Sequence, residues 1–176
     1  MRLTTSRLAV AADLERLHPV IERAYRGDSA RAGWTHEADI IAEGTRTDMA
    51  TLEGILADPT TRLIVALHGD TPIGCVQVSD KGSGIAYLGL LCIDPLLQAG
   101  GLGRQLITAA EDLARDSFAA MGIEMTVIEQ RAELIAYYER RGYAQTGERR
   151  DFPIPLDPPL FMTVLAKRLA QPSPLR

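Results

Sequence analysis

Apolar residues switch repeatedly between helical and strand spacing, and the switches divide the chain into short elements. Residues 2–9 read as a first strand, after which Leu14, Leu17, Val20, Ile21 and Ala24 recur at the spacing of a helix over 14–26. Asp13 stands where that helix would begin, and Pro19 is an obstacle inside it that would kink or split it. Residues 25–34 have no period and read as a loop or broken helix, and 35–41 as one added helical turn. Asp48 caps a helix over 49–56 that Asp58-Pro59 ends. Apolar runs at 62–67 and 73–78 flank a turn at 68–72 and make an antiparallel hairpin, and residues 80–84 turn the chain into a strand over 86–93. Leu106, Ala109, Ala110, Leu113 and Phe118 give 102–120 an apolar stripe, with Gly122 placed as its C-cap. A fifth strand over 123–128 follows, parallel to 86–93 because a helix joins them, with a right-handed crossover. A helix over 133–141 ends at Gly142, a strand starts at 143–147, a proline-rich loop spans 151–159, and a last strand covers 160–166.

This order is mixed α/β, and it reads as a single domain over 1–170 with a frayed tail at 171–176. The 176 residues suffice for one sizeable core, and 46% hydrophobic with 24% charged residues is ordinary for a globular chain. A net charge of −4 speaks against a general nucleic-acid surface. No apolar run is long enough to span a bilayer and residues 1–7 lack a signal-peptide core, so no membrane partner is expected. Cys75 and Cys92 both lie in strand-like runs and read as buried thiols of a reduced compartment, which points to the cytoplasm. His18, His36 and His68 lack metal-ligand spacing, so no metal is expected.

The stretch from Leu90 to Ile107 concentrates the chemistry. It reads as a buried strand, a stop at Pro95, a glycine-rich turn and a helix beginning at the glycines. Backbone N–H groups at a helix N-terminus are unpaired and the helix dipole favours an anion there. Gly100, Gly101 and Gly103 let an anion approach the backbone and let the turn take positive φ. The Walker pattern requires Lys-Ser/Thr where Arg104-Gln105 stand, and the dinucleotide fingerprint requires a glycine where Leu106 stands. Taken alone, the loop also suits a plain strand-to-helix turn that uses glycine for geometry.

Ile93-x-Pro95-x-x-Gln98-x-x-Gly101-x-Gly103 resembles the pyrophosphate loop of the GNAT superfamily, the acyl-CoA-dependent N-acyltransferases. Ala99 stands where that family often has another glycine. A second stretch, Glu133 to Tyr143, resembles the family's other signature through Tyr138, Glu139, Arg140, Gly142 and Tyr143. Seven residues before Tyr138 the family's asparagine is replaced by Arg131, an arginine with the reach to meet a phosphate. The resemblance covers nearly the whole chain. It implies a mostly antiparallel sheet of six to seven strands flanked by helices, with one parallel pair splayed at the CoA site.

The resemblance implies an N-acetyltransferase that uses acetyl-CoA as co-substrate and a primary amine, on a small molecule or a protein, as acceptor. The amine would attack the thioester directly through a tetrahedral adduct. Backbone amides around Leu91, Cys92 and Ile93 would hold pantetheine and the developing oxyanion, and a bulge in that strand would open the slot. Gln98, Ala99, Gly100, Gly101, Leu102, Gly103 and Arg104 would meet the pyrophosphate, with Arg104 equally suited to ordinary helix surface. Tyr138 would donate to the leaving thiolate, while Tyr137, about 100° around the helix, would pack. Full proton transfer from an unperturbed tyrosine to a thiolate is uphill by roughly 2 kcal/mol, which favours a hydrogen-bonding role for Tyr138. Some relatives place a glutamate base where this chain has Tyr87. Glu37 and Asp39, near Trp34 and His36 in the acceptor-side segment, are alternatives, and water-mediated deprotonation is equally open. A domain that senses acyl-CoA without turnover is the competing expectation. The family commonly dimerises, which leaves a homodimer as an open expectation.

Overall fold

The computed structural model describes residues 4–26, 44–97 and 100–171. In chain order these form β1 (Thr4–Leu8), α1 (Ala11–Tyr25), α2 (Met49–Ala57), β2 (Thr61–His68), β3 (Thr71–Asp80) and β4 (Ile85–Ile93). A 3₁₀ turn (Pro95–Leu97), α3 (Leu102–Phe118), β5 (Gly122–Ile128), α4 (Ala132–Glu139), β6 (Ala144–Asp151) and β7 (Phe161–Arg168) follow. The strands make one sheet in the order β1-β2-β3-β4-β5-β7-β6, in which only β4 and β5 pair in parallel. Mixed α/β architecture with a splayed parallel pair is therefore what the sequence predicted. The insertion of β7 between β5 and β6 was not.

Helices cover both faces of the sheet. Along β2, Leu63, Val65 and Leu67 face α1 and α2, where they meet Leu14, Leu17, Ile21 and Leu52. Ile64 and Ala66 face the other way, into the layer of Leu106, Ile107 and Ala110 from α3. With both faces buried, the central strands are nearly continuous apolar runs.

Two register breaks matter for the site. Between β3 and β4 the pairing Cys75↔Cys92 is followed by Gln77↔Gly89, so Leu90 and Leu91 together oppose Val76 alone. This is a β-bulge on β4, and Leu90 takes φ of 49°, the left-handed region that β-carbon sterics disfavour. The bulge reverses the strand's alternation: Ala86 and Leu88 face α3, Leu90 faces α1, and Leu91 again faces α3. Gly74 makes room for this arrangement, because a Cβ there would overlap the Cys92 carbonyl oxygen and lie 3.1 Å from Ile93 Cα. The second break is between β4 and β5, which pair only through Ile85↔Gly122, Ala86↔Ile123 and Tyr87↔Glu124 and then part.

Several boundaries differ from expectation for local reasons. Pro19 neither splits nor ends α1; it sits on the exposed side, where the carbonyl left without a helix donor can be hydrated. Asp13 lies inside the first turn, accepting from Val10 N at 2.8 Å and from Arg7 at 2.7 and 2.9 Å. Asp48 caps α2 as expected, accepting from Thr51 N at 2.7 Å. Gly122 is not the C-cap of α3. Ala119 takes that role at φ of 50°, and Gly122 opens β5 with Ile85 Cδ1 packed 3.2 Å from where a Cβ would stand. Asp151, assigned to the loop from the sequence, is the end of β6, where Arg149, Arg150 and Asp151 pair with Thr163, Met162 and Phe161. The helical turn expected at 35–41 and residues 172–176 of the tail lie outside the described residues.

Two predictions follow from this packing. Gly74→Ala should lower stability by about 1–3 kcal/mol, because backbone rather than a mobile side chain must give way; an unchanged urea midpoint would show that the β3–β4 contact is loose. The Arg7 guanidinium holds the Asp13 carboxyl below the usual carboxylate range. A lowered folded-state pKa adds stability above the ordinary carboxylate pKa and loses it as pH falls through the folded value. The stability gap between the parent and Asp13→Asn should thus be open at neutral pH and close on acidification, as read by thermal melts across pH.

Candidate active site

The parting of β4 from β5 leaves a wedge in the sheet, and a cavity of about 360 Å³ fills it. Tyr87 to Leu91 of β4 form one wall and Met125 to Ile128 of β5 the other. Tyr87, at the crotch of the fork, closes it with a 2.6 Å hydrogen bond to Thr126 Oγ1. Tyr25 from the end of α1, Thr51 and Ile55 from α2, and Phe152 to Ile154 from the loop after β6 complete the lining, with Arg26, Arg46 and Arg131 as its charged residues. Among the described lining residues there is no carboxylate and no histidine.

The bulge is held by two side chains, one from α1 and one from β3. The Tyr25 hydroxyl donates a hydrogen bond to the Leu91 carbonyl. The Cys75 thiol lies 3.5 Å from the Leu90 carbonyl and its sulfur 3.6 Å from that of Cys92, directly across the ladder. Both cysteines are free and buried, and the neighbouring Cys92 thiol together with burial pushes the Cys75 thiol well up, so it stays protonated. Leu91 reaches the cavity, whereas Cys92 and Ile93 pack into the core beyond it.

Tyr138 enters from α4. It is 5% exposed, lines the cavity, and packs edge-on against Tyr137 and Tyr143 at centroid distances of 5.4 and 6.0 Å. Burial pushes its phenol far above the ordinary tyrosine range, so it is a donor and not a base. Tyr137 is covered by the Arg141 guanidinium at 3.3 Å, the packing role expected of it. Tyr143 is structural: its hydroxyl donates to Glu111 at 3.0 Å, and Lys167 completes the cluster at 2.9 Å. Arg131 stands at the N-cap of α4 and lines the cavity beside Tyr138.

At the other end of β4 the chain passes Pro95 and Leu97 and enters α3. Gly101 is the N-cap at φ of 75°, with nothing within 4 Å of where a Cβ would stand, and the amides of Leu102, Gly103 and Arg104 open the first turn of α3, the end of a helix that favours an anion. Gly100 precedes it in the exposed turn. Arg104 lies in a second groove of about 520 Å³ with Arg140, Arg141 and the Lys167–Glu111 ion pair. Arg104 and Arg140 form no ion pair with a described residue, so this groove is positively charged. Gln98, Ala99, Trp34 and Glu37, all singled out from the sequence, lie outside the described residues.

Sequence reasoning assigned residues 25–46 as a segment to the acceptor pocket but singled out neither Tyr25 nor Arg46. Tyr25 continues the apolar series four residues after Ile21, a spacing that places it on the buried face of α1. Arg46 carries no local signal. Its backbone N–H and that of Thr47 donate to the Glu22 carboxylate at 2.9–3.0 Å, and its guanidinium lies 4.9 Å from the centre of the Tyr25 ring.

Known proteins share this fold. Residues 38–153 match the family model described as the acetyltransferase (GNAT) domain. An IAA acetyltransferase of Azospirillum brasilense is 32% identical over 96 residues, which are 52% of this chain and 60% of that relative. Among solved structures, the Escherichia coli ribosomal-protein-S18-alanine N-acetyltransferase superposes with a TM-score of 0.73 at 16% identity, over 99% of both chains. A spermidine N-acetyltransferase chimera from Vibrio cholerae and hSSAT superposes with a TM-score of 0.71 at 18% identity, over 94% of this chain and 95% of that one. Likenesses at such identity speak to the fold alone. The family model spans the fork, the bulge, the glycine turn and α4 in a single match, and the chain belongs to the GNAT acetyltransferase family.

Proposed function

We propose that the chain transfers an acetyl group from acetyl-CoA to a primary amine, working as one domain over residues 1–170. The observation that carries this is the fork: a cavity opened by the bulge at Leu90–Leu91, bounded opposite by the buried Tyr138, with an anion-accepting helix start at the far end of the same strand. The chain's donors fit acetyl-CoA at three points. The Gly101 turn is open to a pyrophosphate, Arg104 and Arg140 offer charge beside it, and the fork offers a slot between two strand edges. Acetyl-CoA supplies an activated acyl carbon and a thiolate leaving group. The chain's residues supply position and electrostatics.

In this scheme the unpaired edge of β4 beyond Tyr87 meets the pantetheine arm and the charge developing on the carbonyl oxygen. Tyr25 fixes that edge by holding the Leu91 carbonyl. Tyr138 donates a hydrogen bond toward the departing sulfur. Its raised pKa makes full transfer costlier than the roughly 2 kcal/mol of the unperturbed pair, so it stabilises the thiolate and solvent completes protonation. Tyr87 is committed to Thr126 and holds the fork shut at its base. A second reading, binding of acyl-CoA without turnover, is favoured by one observation: the described lining offers no carboxylate or imidazole to take the amine's proton. Release of CoA in the presence of an amine panel separates the two.

Titration calorimetry should find acetyl-CoA binding at one site per chain. Gly101→Glu should weaken it strongly by placing charge at the helix start, while Gly101→Ala, which adds only backbone strain, should weaken it less. Absence of binding by folded protein would remove both readings. Tyr138→Phe should reduce kcat about tenfold or more and leave the acetyl-CoA dissociation constant within about twofold. Unchanged turnover with chemistry rate-limiting would remove Tyr138 from the reaction.

A further inference from the structure

The acceptor end of the cavity has a charge and a shape that narrow the amine. Glu22 spends both carboxylate oxygens on the backbone N–H groups of Arg46 and Thr47, which fixes the chain there without pairing the Arg46 guanidinium. That guanidinium lies against the Tyr25 ring, 4.9 Å from its centre, and forms no ion pair with a described residue. An arginine stacked on an aromatic face keeps its N–H edges directed outward in the plane, the geometry that accepts a carboxylate through two parallel hydrogen bonds. Tyr25 is also the residue whose hydroxyl holds the Leu91 carbonyl at the bulge, so the cation stands one tyrosine ring away from the strand edge where an amine must arrive. The cavity lining also offers apolar surface from Ile55, Phe152, Ile154 and Met162, beside the polar Thr47, Thr51 and Gln77.

We propose, building on acetyl transfer as the activity, that the acceptor is a small amino carboxylate of the amino-acid type with an apolar body, whose carboxylate is held by Arg46 while its amine points to the fork. A polycationic amine would bring like charge to this wall. An uncharged amine would leave the guanidinium without its anion.

The test uses matched acceptors: phenylalanine and leucine, the same skeletons without the carboxylate (phenethylamine and isoamylamine), and spermidine as the polycation. CoA release and direct acceptor binding in the presence of CoA are both measured. The wild-type protein should favour each amino acid over its decarboxylated partner by at least about tenfold in kcat/KM, the scale of a charge-assisted hydrogen-bonded pair. In Arg46→Met that ratio should fall to near one, and Arg46→Lys should recover part of it. CoA release with no carboxylate preference, or with spermidine preferred, overturns the proposal and leaves acetyl transfer standing. Arg46-dependent binding of the amino acid without CoA release upholds the carboxylate site and overturns acetyl transfer. A preference that persists in Arg46→Met overturns the role of Arg46.

Discussion

Strand β4 must satisfy two demands that a regular strand cannot meet together. It has to stay paired with β3 to its end, from Asp80↔Ala86 to Gly74↔Ile93, and it has to leave β5 after Tyr87. The bulge resolves this by spending two residues against one and bending the strand between them. The cost is a leucine in left-handed conformation, of order 1–3 kcal/mol for a residue held outside its favoured region. Such strain persists only where the surroundings over-determine it. Here Leu90 is buried against α1 and α2, Tyr25 holds the next carbonyl, and Gly74 gives the partner strand the clearance it needs.

Both helical layers then acquire separate duties at one point. The α1–α2 side supplies Tyr25, Thr51 and Ile55 to the cavity, and Glu22 of α1 ties down Arg46 between them. The other side supplies the glycine turn, Tyr138 and the basic groove of Arg104 and Arg140. Arg23 of α1 pairs with Asp94, just past β4, at 2.8 Å, which joins the two sides where the strand gives way to the turn.

Much of this was legible in the sequence because the signals were local. The hairpin of β2 and β3, the Asp48 cap and the strand–glycine–helix turn each announce themselves within about ten residues. The bulge was expected from the family resemblance and not from hydropathy, for a physical reason: Gly89-Leu90-Leu91-Cys92-Ile93 is apolar on both faces, so a reversal of alternation leaves no trace in the pattern. Pro19 gave a false warning because hydropathy does not show that its missing donor would face water. Gly122 misled in the opposite way, its glycine serving close packing against Ile85 while an alanine adopted the left-handed cap. Arg46 was invisible because its position depends on Glu22, whose separation in sequence no pattern measures.

The positive lining also bears on the proton that a protonated amine must lose. An ammonium entering a cavity lined by Arg26, Arg46 and Arg131 meets like charge and partial desolvation, and both lower its pKa toward neutrality. An acceptor with its own carboxylate would bring the opposite effect, because an anion beside the amine stabilises the ammonium. Pairing with Arg46 cancels that field at its source. Recognition of the carboxylate and release of the amine's proton are then one electrostatic event, which lowers the demand on any dedicated base and lets water carry the proton out. On this account a neutral Tyr87 held by Thr126 and the lining arginines Arg26, Arg46 and Arg131 are two parts of a single charge arrangement.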